Sequence, residues 1–364
     1  MLTIPEAFQG SYYRSLDGIR GIAVLLVLLA HFGINRLTMP FHFSIDSETG
    51  VHIFFVLSGF LITTVLLKEK IKNETISLKT FYIRRILRII PVAYLFLVVL
   101  IALNFFYQLR ISVLDFSLSF LFLKNLPVKL GSPFTAHFWS LAVEEQFYIS
   151  FPLLLAFNVN RYLVTALTIV IVVPLVSILG FYQVGFLYAN PLIHFITQVI
   201  MYAFWKGPVM ILIGSVFSLL FFKGIIKTKY AGNHYFLSFV LLLTAIALNN
   251  RTSPFYCKYT SEYIAAIIFA YTILLSINSV NFLSVMLNNR ILVKIGILSY
   301  SLYIWQQLFI GARVWQPWLA PLHGYPLPLL ITIKFLCIFI MAYLSYYFFE
   351  SKFLRLKNKF LYHS

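Results

Sequence analysis

The feature that most constrains this chain is a repeated spacing: stretches of mainly apolar residues, each long enough for a membrane helix, alternate with short segments that hold most of the Lys and Arg. The hydrocarbon core of a bilayer requires about 20 such residues per helix. On that rule ten spans are expected, at 17–34, 50–67, 89–109, 139–158, 162–182, 207–222, 234–249, 261–279, 295–312 and 326–349. Composition agrees. Hydrophobic residues make up 61% of the 364 and charged residues 11%, whereas a soluble domain carries about 25% charge. The expected fold is all-α, a polytopic transmembrane helix bundle forming one domain over residues 1–364, with no separate soluble domain. The run Ile22 to Ala30 continues a helix that already holds Asp17 and Arg20, and no small-residue cleavage site follows it, so it reads as a span and not a signal peptide. Two stretches fit the rule poorly. Ile111 to Leu123 is short and holds Asp115, and Phe181 to Trp205 is broken by Asn190, Pro191 and His194. Both read as interfacial or re-entrant segments on the outer side.

Basic residues set the orientation. With the N-terminus inside, the inner segments carry 18 Lys and Arg and the outer segments 8, and an even span count returns the C-terminus to the basic inner side. Both termini are therefore expected in the cytosol. The formal net charge of +17 then belongs to short loops facing anionic lipid, and no nucleic-acid partner is expected. Of the two cysteines, Cys337 falls within a span and Cys257 in an outer loop. Neither a disulfide framework nor a thiol metal site is expected, and no metal is assigned.

Charged groups within spans are costly and mark function by default. Asp17 and Arg20 are three apart and share a face. Arg20 and His31 are eleven apart, close to three turns, which places them on one stripe ~16 Å apart along the axis. A cation at the inner end and an imidazole in the outer half thus share that stripe, although a simple interfacial ion pair also explains Asp17 and Arg20. Arg84, Arg85 and Arg88 form a basic face at a cytosolic helix start. Guanidinium forks suit phosphate, and a topology anchor is the plainer alternative. The segment His137 to Tyr148 places Glu144 and Glu145 at an outer mouth with no cation nearby in sequence. His137, Glu144 and Tyr148 would line one helical face, which is general acid–base equipment.

Taken in order, several motifs resemble the acyltransferase type 3 family of bacterial membrane O-acyltransferases. They are Leu16-Asp17-Gly18-Ile19-Arg20-Gly21 followed by His31; Gly50 to Gly59 with Phe54-Phe55 and Ser58-Gly59; Phe81 to Pro91 with its three arginines; Trp139-Ser140-Leu141 with Glu144-Glu145-Gln146-Phe147-Tyr148; Ser299 to Trp305; and Phe349-Glu350. Each is weak alone, but their order extends over nearly the whole chain. One departure is Gln306, where many members have His, so Gln306 is given no proton transfer. Residues 160–290 carry little of the pattern, and acceptor choice is expected to reside there.

The resemblance implies a multi-pass enzyme of the bacterial inner (plasma) membrane. It would move an acyl group, often acetyl, from cytosolic acyl-CoA to a hydroxyl on an envelope or exported carbohydrate, such as a lipopolysaccharide or another polysaccharide. Arg85 and Arg88, with Arg84 and Arg20, are expected to hold the coenzyme A phosphates. His31 is the expected base, His137 the second candidate, and Glu144 or Glu145 the carboxylate that orients or stabilises a catalytic imidazole. Two other classes remain open. A transporter or flippase of a lipid-linked sugar or small anion would often show internal repeats, and none is evident here. A non-catalytic partner in polysaccharide export would not need Arg20 and His31 aligned. The acyl group, the acceptor and the oligomeric state are not encoded in any recognisable pattern.

Overall fold

The structure is a computed structural model that describes residues 2–10, 12–38, 45–126, 131–185, 189–204, 207–227, 235–278, 281–310 and 325–358. Every regular element among them is helical. Besides the short helical turns Glu6–Phe8, Asn35–Thr38 and Pro133–Thr135, the helices are α1 (Arg14–His31), α2 (Ser47–Asn73), α3 (Leu78–Tyr107), α4 (Val113–Phe120), α5 (Phe138–Phe157), α6 (Val159–Phe181), α7 (Pro191–Phe204), α8 (Pro208–Phe222), α9 (Leu237–Asn249), α10 (Thr260–Asn278), α11 (Phe282–Leu287), α12 (Arg290–Ile297), α13 (Ser299–Ile310), α14 (Leu327–Leu344) and α15 (Ser351–Asn358), with one wider π segment, Ser345–Glu350, between the last two.

Five described helical stretches are long and apolar enough to cross a bilayer: Ser47–Asn73, Leu78–Tyr107, Val159–Phe181, Thr260–Ile277 and Leu327–Leu356. A sixth is added if α7 and α8 form one span. The expectation of ten spans therefore goes beyond what length and apolarity establish, while the all-helical, multi-pass character holds. The expected span 295–312 starts within α12 and continues into α13, the two being separated at Leu298. Of the two ambiguous stretches, the first contains α4, only eight residues long. In the second, Asn190 accepts the amides of Leu192 and Ile193 and so starts α7.

Local chemistry sets the helix ends. Asp46 accepts the Glu48 amide at the start of α2, and Ser77 accepts the Thr80 amide at the start of α3. Between them Glu74 takes a left-handed conformation (φ 61°) that turns the chain sharply. α3 runs unbroken through Pro91, which has no N–H to give to the preceding turn. Two residues before it, the Ile89 carbonyl accepts the Tyr300 hydroxyl at 2.8 Å, tying α13 to this part of α3.

Position within the bundle follows from burial. In α2, 72% of the apolar window is buried inside the protein, against 17% for Leu327–Leu356. α2 is thus the central post, touching α1, α5, α8 and α10, and the last long helix faces outward. Small residues allow the close crossing. A side-chain carbon at Gly59 would land on the Ile211 carbonyl, and one at Gly214 on the Val56 carbonyl, so α2 and α8 meet backbone to backbone. Two hydroxyl pairs fasten this seam, Thr63 to Ser215 at 2.6 Å and Thr64 to Ser218 at 2.8 Å. At the other side of the core Gly296 of α12 lies against the Asp17 carbonyl, which fixes the first charged turn of α1.

Candidate active site

The four arginines picked out in the sequence converge. Arg20 from α1 and Arg84, Arg85 and Arg88 from α3 line one cavity of about 450 Å³, together with residues of α2 and Tyr148 of α5. A second, narrower space of about 80 Å³ lies deeper, lined among others by Ser140, Glu144 and Tyr303. Arg20, Ser58, Arg85 and Arg88 belong to both, so they form the wall between a cationic vestibule and an inner chamber. Asp17 and Arg20 pair at 3.2 Å, as their spacing predicts.

The acidic pair needs a correction. Glu144 and Glu145 were expected at an outer mouth with no cation near them in sequence, one of them directed at an imidazole. Instead both face Arg85, at 3.7 Å and 3.5 Å. The Arg85 guanidinium also lies over the Tyr148 ring, 3.6 Å from its centroid. Glu144 further accepts the Ser58 hydroxyl at 2.8 Å. The sequence places Arg85 and the two acids about sixty residues apart, and only the packing of α3 and α5 around α2 joins them. The contact with Glu145 is an ion pair without hydrogen-bond geometry, for neither Arg85 Nε nor Glu145 Oε1 has a hydrogen-bond partner. The acids and the basic face, assigned to separate functions from the sequence, form one site.

The imidazoles lie elsewhere. His137 directly precedes α5 and is buried, 5% exposed, with its ring against Phe96, Phe138 and Tyr303. Neither ring nitrogen has a hydrogen-bond partner, so no hydrogen bond from the ring reaches Glu144. His31 is exposed at the last turn of α1 and lines neither the vestibule nor the chamber. Its Nδ1 is 3.4 Å from the Oε1 of Gln306. So Arg20 and His31 share a helix but not a cavity. Gln306, set aside in the sequence because it cannot titrate, is the side chain that touches the candidate base. It is fully buried, and its Nε2 has no partner.

Further residues enter the site that belong to the quoted motifs but were given no role from the sequence. Ser140 and Tyr303 join hydroxyl to hydroxyl at 2.6 Å on the chamber wall. Tyr303 and Gln306 are three apart on α13, hence on one face, so this helix leads from the chamber toward His31. Glu350, which closes the last motif, accepts hydroxyls from Ser301 and Ser345 and so anchors α13 to the π segment. Residue type alone could have suggested Ser140 and Tyr303, since both fall in matching motifs, but their pairing across 163 positions has no local signal.

Asp115 bonds Lys124 and accepts the Ser132 amide and the Ser112 hydroxyl. Burial pushes its carboxyl up, but the Lys124 ammonium and these donors outweigh burial and hold it below its ordinary value. Gln307, next to Gln306, donates to the Pro133 carbonyl, which ties the connection before α5 to α13. Among the described residues no group of three or more His, Cys, Asp or Glu is placed to hold a metal ion. Cys257 and Cys337 are both free.

Known proteins resemble the chain. It is similar over most of its length to Staphylococcus aureus proteins. One, from strain COL, whose name as an O-acetyltransferase is itself provisional, is 29% identical over 94% of this chain and 57% of its own length. The O-acetyltransferase OatA of strain NCTC 8325 is 25% identical over 96% of this chain and 58% of its own. The peptidoglycan O-acetyltransferase OatA of Listeria monocytogenes is 36% identical over 40% of this chain and 24% of its own. The chain thus spans less than two thirds of the length of the curated relatives it matches. No solved structure matches it. The family described as the acyltransferase domain matches residues 13–349, which include every motif set out above except the last residue of the Phe349-Glu350 pair, and the chain belongs to that family.

Proposed function

We infer that the chain is an O-acyltransferase of the inner (plasma) membrane, with both termini cytosolic, that moves an acyl group from acyl-CoA to a hydroxyl of a cell-envelope carbohydrate. The names of its relatives favour acetyl as the group, and one of them favours a peptidoglycan acceptor. The observation that carries the reading is the pair of adjacent spaces that share one arginine wall. Four guanidinium groups in the vestibule suit the phosphates of coenzyme A, which they can bind with paired N–H donors. The chamber of about 80 Å³ admits only a slender chain, such as a pantetheine arm with its thioester. A transporter of a bulky lipid-linked sugar would need more room behind that wall.

In this reaction the acceptor oxygen bonds to the acyl carbon, the carbon–sulfur bond breaks, and the hydroxyl proton passes to His31 and then to the departing thiolate of coenzyme A. Gln306 accepts from Nδ1–H of His31, which leaves Nε2 unprotonated and able to take that proton. Arg85, held by Glu144 and Glu145, presents a preorganised cation at the entrance to the chamber, where it can hold the charged end of the donor while the thioester passes on toward His31.

The test is transfer of radiolabelled acetyl from acetyl-CoA to envelope glycan in membranes that contain or lack the protein. Label in a base-labile ester only when the protein is present supports the reading. Unchanged glycan, with acetyl-CoA neither bound nor consumed, would reject it in favour of transport.

A further inference from the structure

The vestibule holds one group that phosphate binding does not explain. Glu69 of α2 is 6% exposed and lines the cavity. Its Oε1 accepts the Ser77 amide at 2.6 Å, completing the turn into α3. Its Oε2 has no hydrogen-bond partner. Asp17, the other carboxylate on this wall, is neutralised by Arg20. Lys68, adjacent to Glu69, turns to the Gly10 carbonyl and the Tyr13 hydroxyl instead.

A buried carboxylate oxygen without a donor costs free energy unless a ligand supplies one. It also repels phosphate, so the part of a ligand beside it must be uncharged and carry an N–H or O–H. Glu69 lies eleven positions beyond Ser58 on α2, which is about three turns and the same face, ~16 Å apart. Ser58 marks the wall of the inner chamber, so Glu69 marks the opposite end of the vestibule, beside the turn into α3, with the arginines lining the same cavity. Tyr12, whose large side chain is 58% exposed, lines the same space and offers a flat face.

We propose that Glu69 and Tyr12 form a nucleoside subsite, in which Oε2 of Glu69 accepts a hydrogen bond from the adenine amino group or the ribose 2′-hydroxyl of the donor while Tyr12 stacks on the base. This rests on the acyl-CoA reading above and adds to it the residue that selects the nucleotide end. Phosphates then meet the arginines and the pantetheine arm points past Ser58.

The test is equilibrium binding to the purified full chain in detergent, using coenzyme A, a deaminated coenzyme A with hypoxanthine for adenine, and 2′-deoxy coenzyme A. Wild type should bind one of the two analogues about tenfold or more weakly than coenzyme A, since a hydrogen bond to a charged acceptor is lost, and the analogue affected identifies the donor group. Glu69→Gln keeps an oxygen for the Ser77 amide but places an N–H where Oε2 was. It should erase that preference and, if the amino group is the donor, reverse it toward the hypoxanthine form. A purely structural cap cannot produce such a reversal, and the melting temperature of the variant serves as the control for folding. Equal affinities for all three ligands in wild type, or unchanged discrimination in Glu69→Gln, would overturn the subsite alone. A wild-type chain that melts cooperatively yet has no affinity for coenzyme A would overturn both the subsite and the donor reading.

Discussion

Arg85 offers the most informative perturbation, because a single guanidinium holds two acids and lines two spaces. Its side chain is 14% exposed, and those of Glu144 and Glu145 are 14% and 18% exposed. The cluster is largely out of water, so the relevant magnitude is that of a broken buried pair, about 3–5 kcal/mol, and not the 0–1 kcal/mol typical of a surface ion pair. Arg85→Ala leaves the two carboxylates without their nearest cation and removes the contact over Tyr148. A marked fall in melting temperature is expected, followed by fluorescence-detected size exclusion in detergent. Arg85→Ala combined with Glu144→Gln and Glu145→Gln removes the charge imbalance, and most of the lost stability should return. Transfer from acetyl-CoA, normalised for protein in the membrane, should not return. Arg85→Lys should keep the fold but recover only part of the transfer, because an ammonium cannot make the forked contact. Wild-type melting of Arg85→Ala would show that the guanidinium is not the counter-ion. Restored transfer in the triple variant would show that it has no part in handling the donor.

Four further outcomes are expected. His31→Gln should lower transfer by about 10²–10⁴-fold with coenzyme A binding intact, and substantial residual transfer would move the base to His137; Gln306→Ala should lower transfer less, by loss of positioning. Gly59→Ala or Gly214→Ala should impair folding more than substitutions at exposed positions of the same helices, measured as monodisperse yield, because each added carbon meets a carbonyl. Asp115 has a folded-state carboxyl held below its ordinary value of 3.8, so its stabilisation is present above that value and lost as pH falls through the lower folded value; acid melts of wild type should steepen there relative to Asp115→Asn, and identical profiles would refute the assignment. A cysteine placed at Thr75, between α2 and α3, should react with impermeant reagents only from the cytosolic side, and labelling in intact cells would invert the proposed topology.

The helical character of the bundle was legible because it depends on local apolar runs. The basic face on α3 was legible too, since its three arginines lie within five residues, and so was the Asp17–Arg20 pair. What could not be read were relations carried by tertiary packing. Glu144 and Glu145 have no cation within a helical turn, and the sequence offered an imidazole partner when the actual partner, Arg85, lies on another helix. Helical spacing correctly placed Arg20 and His31 on one helix but said nothing about where a cavity ends. Gln306 was judged by what it cannot do as an acid or base, and its contact with His31 appears only when α1 and α13 pack together. The unused oxygen of Glu69 could not have been inferred, because a carboxylate is recognised as unsatisfied only when everything around it is in place.

The length of α3 has a consequence for how a donor would arrive. Thirty residues rise ~45 Å at 1.5 Å each, half as much again as the ~30 Å of hydrocarbon in a bilayer. With Tyr107 near the far interface, about ten residues at the near end must stand in the headgroup layer or beyond it. Lys79, Arg84 and Arg85 belong to that overhang, and Arg88 lies at its margin. A nucleotide with several negative charges would therefore be received at the depth where lipid phosphates already reside and would never enter oil. Only the neutral tail of the molecule would have to travel inward, so the helix overhang separates a highly charged carrier, which stays at the shore, from its small uncharged cargo, which makes the crossing.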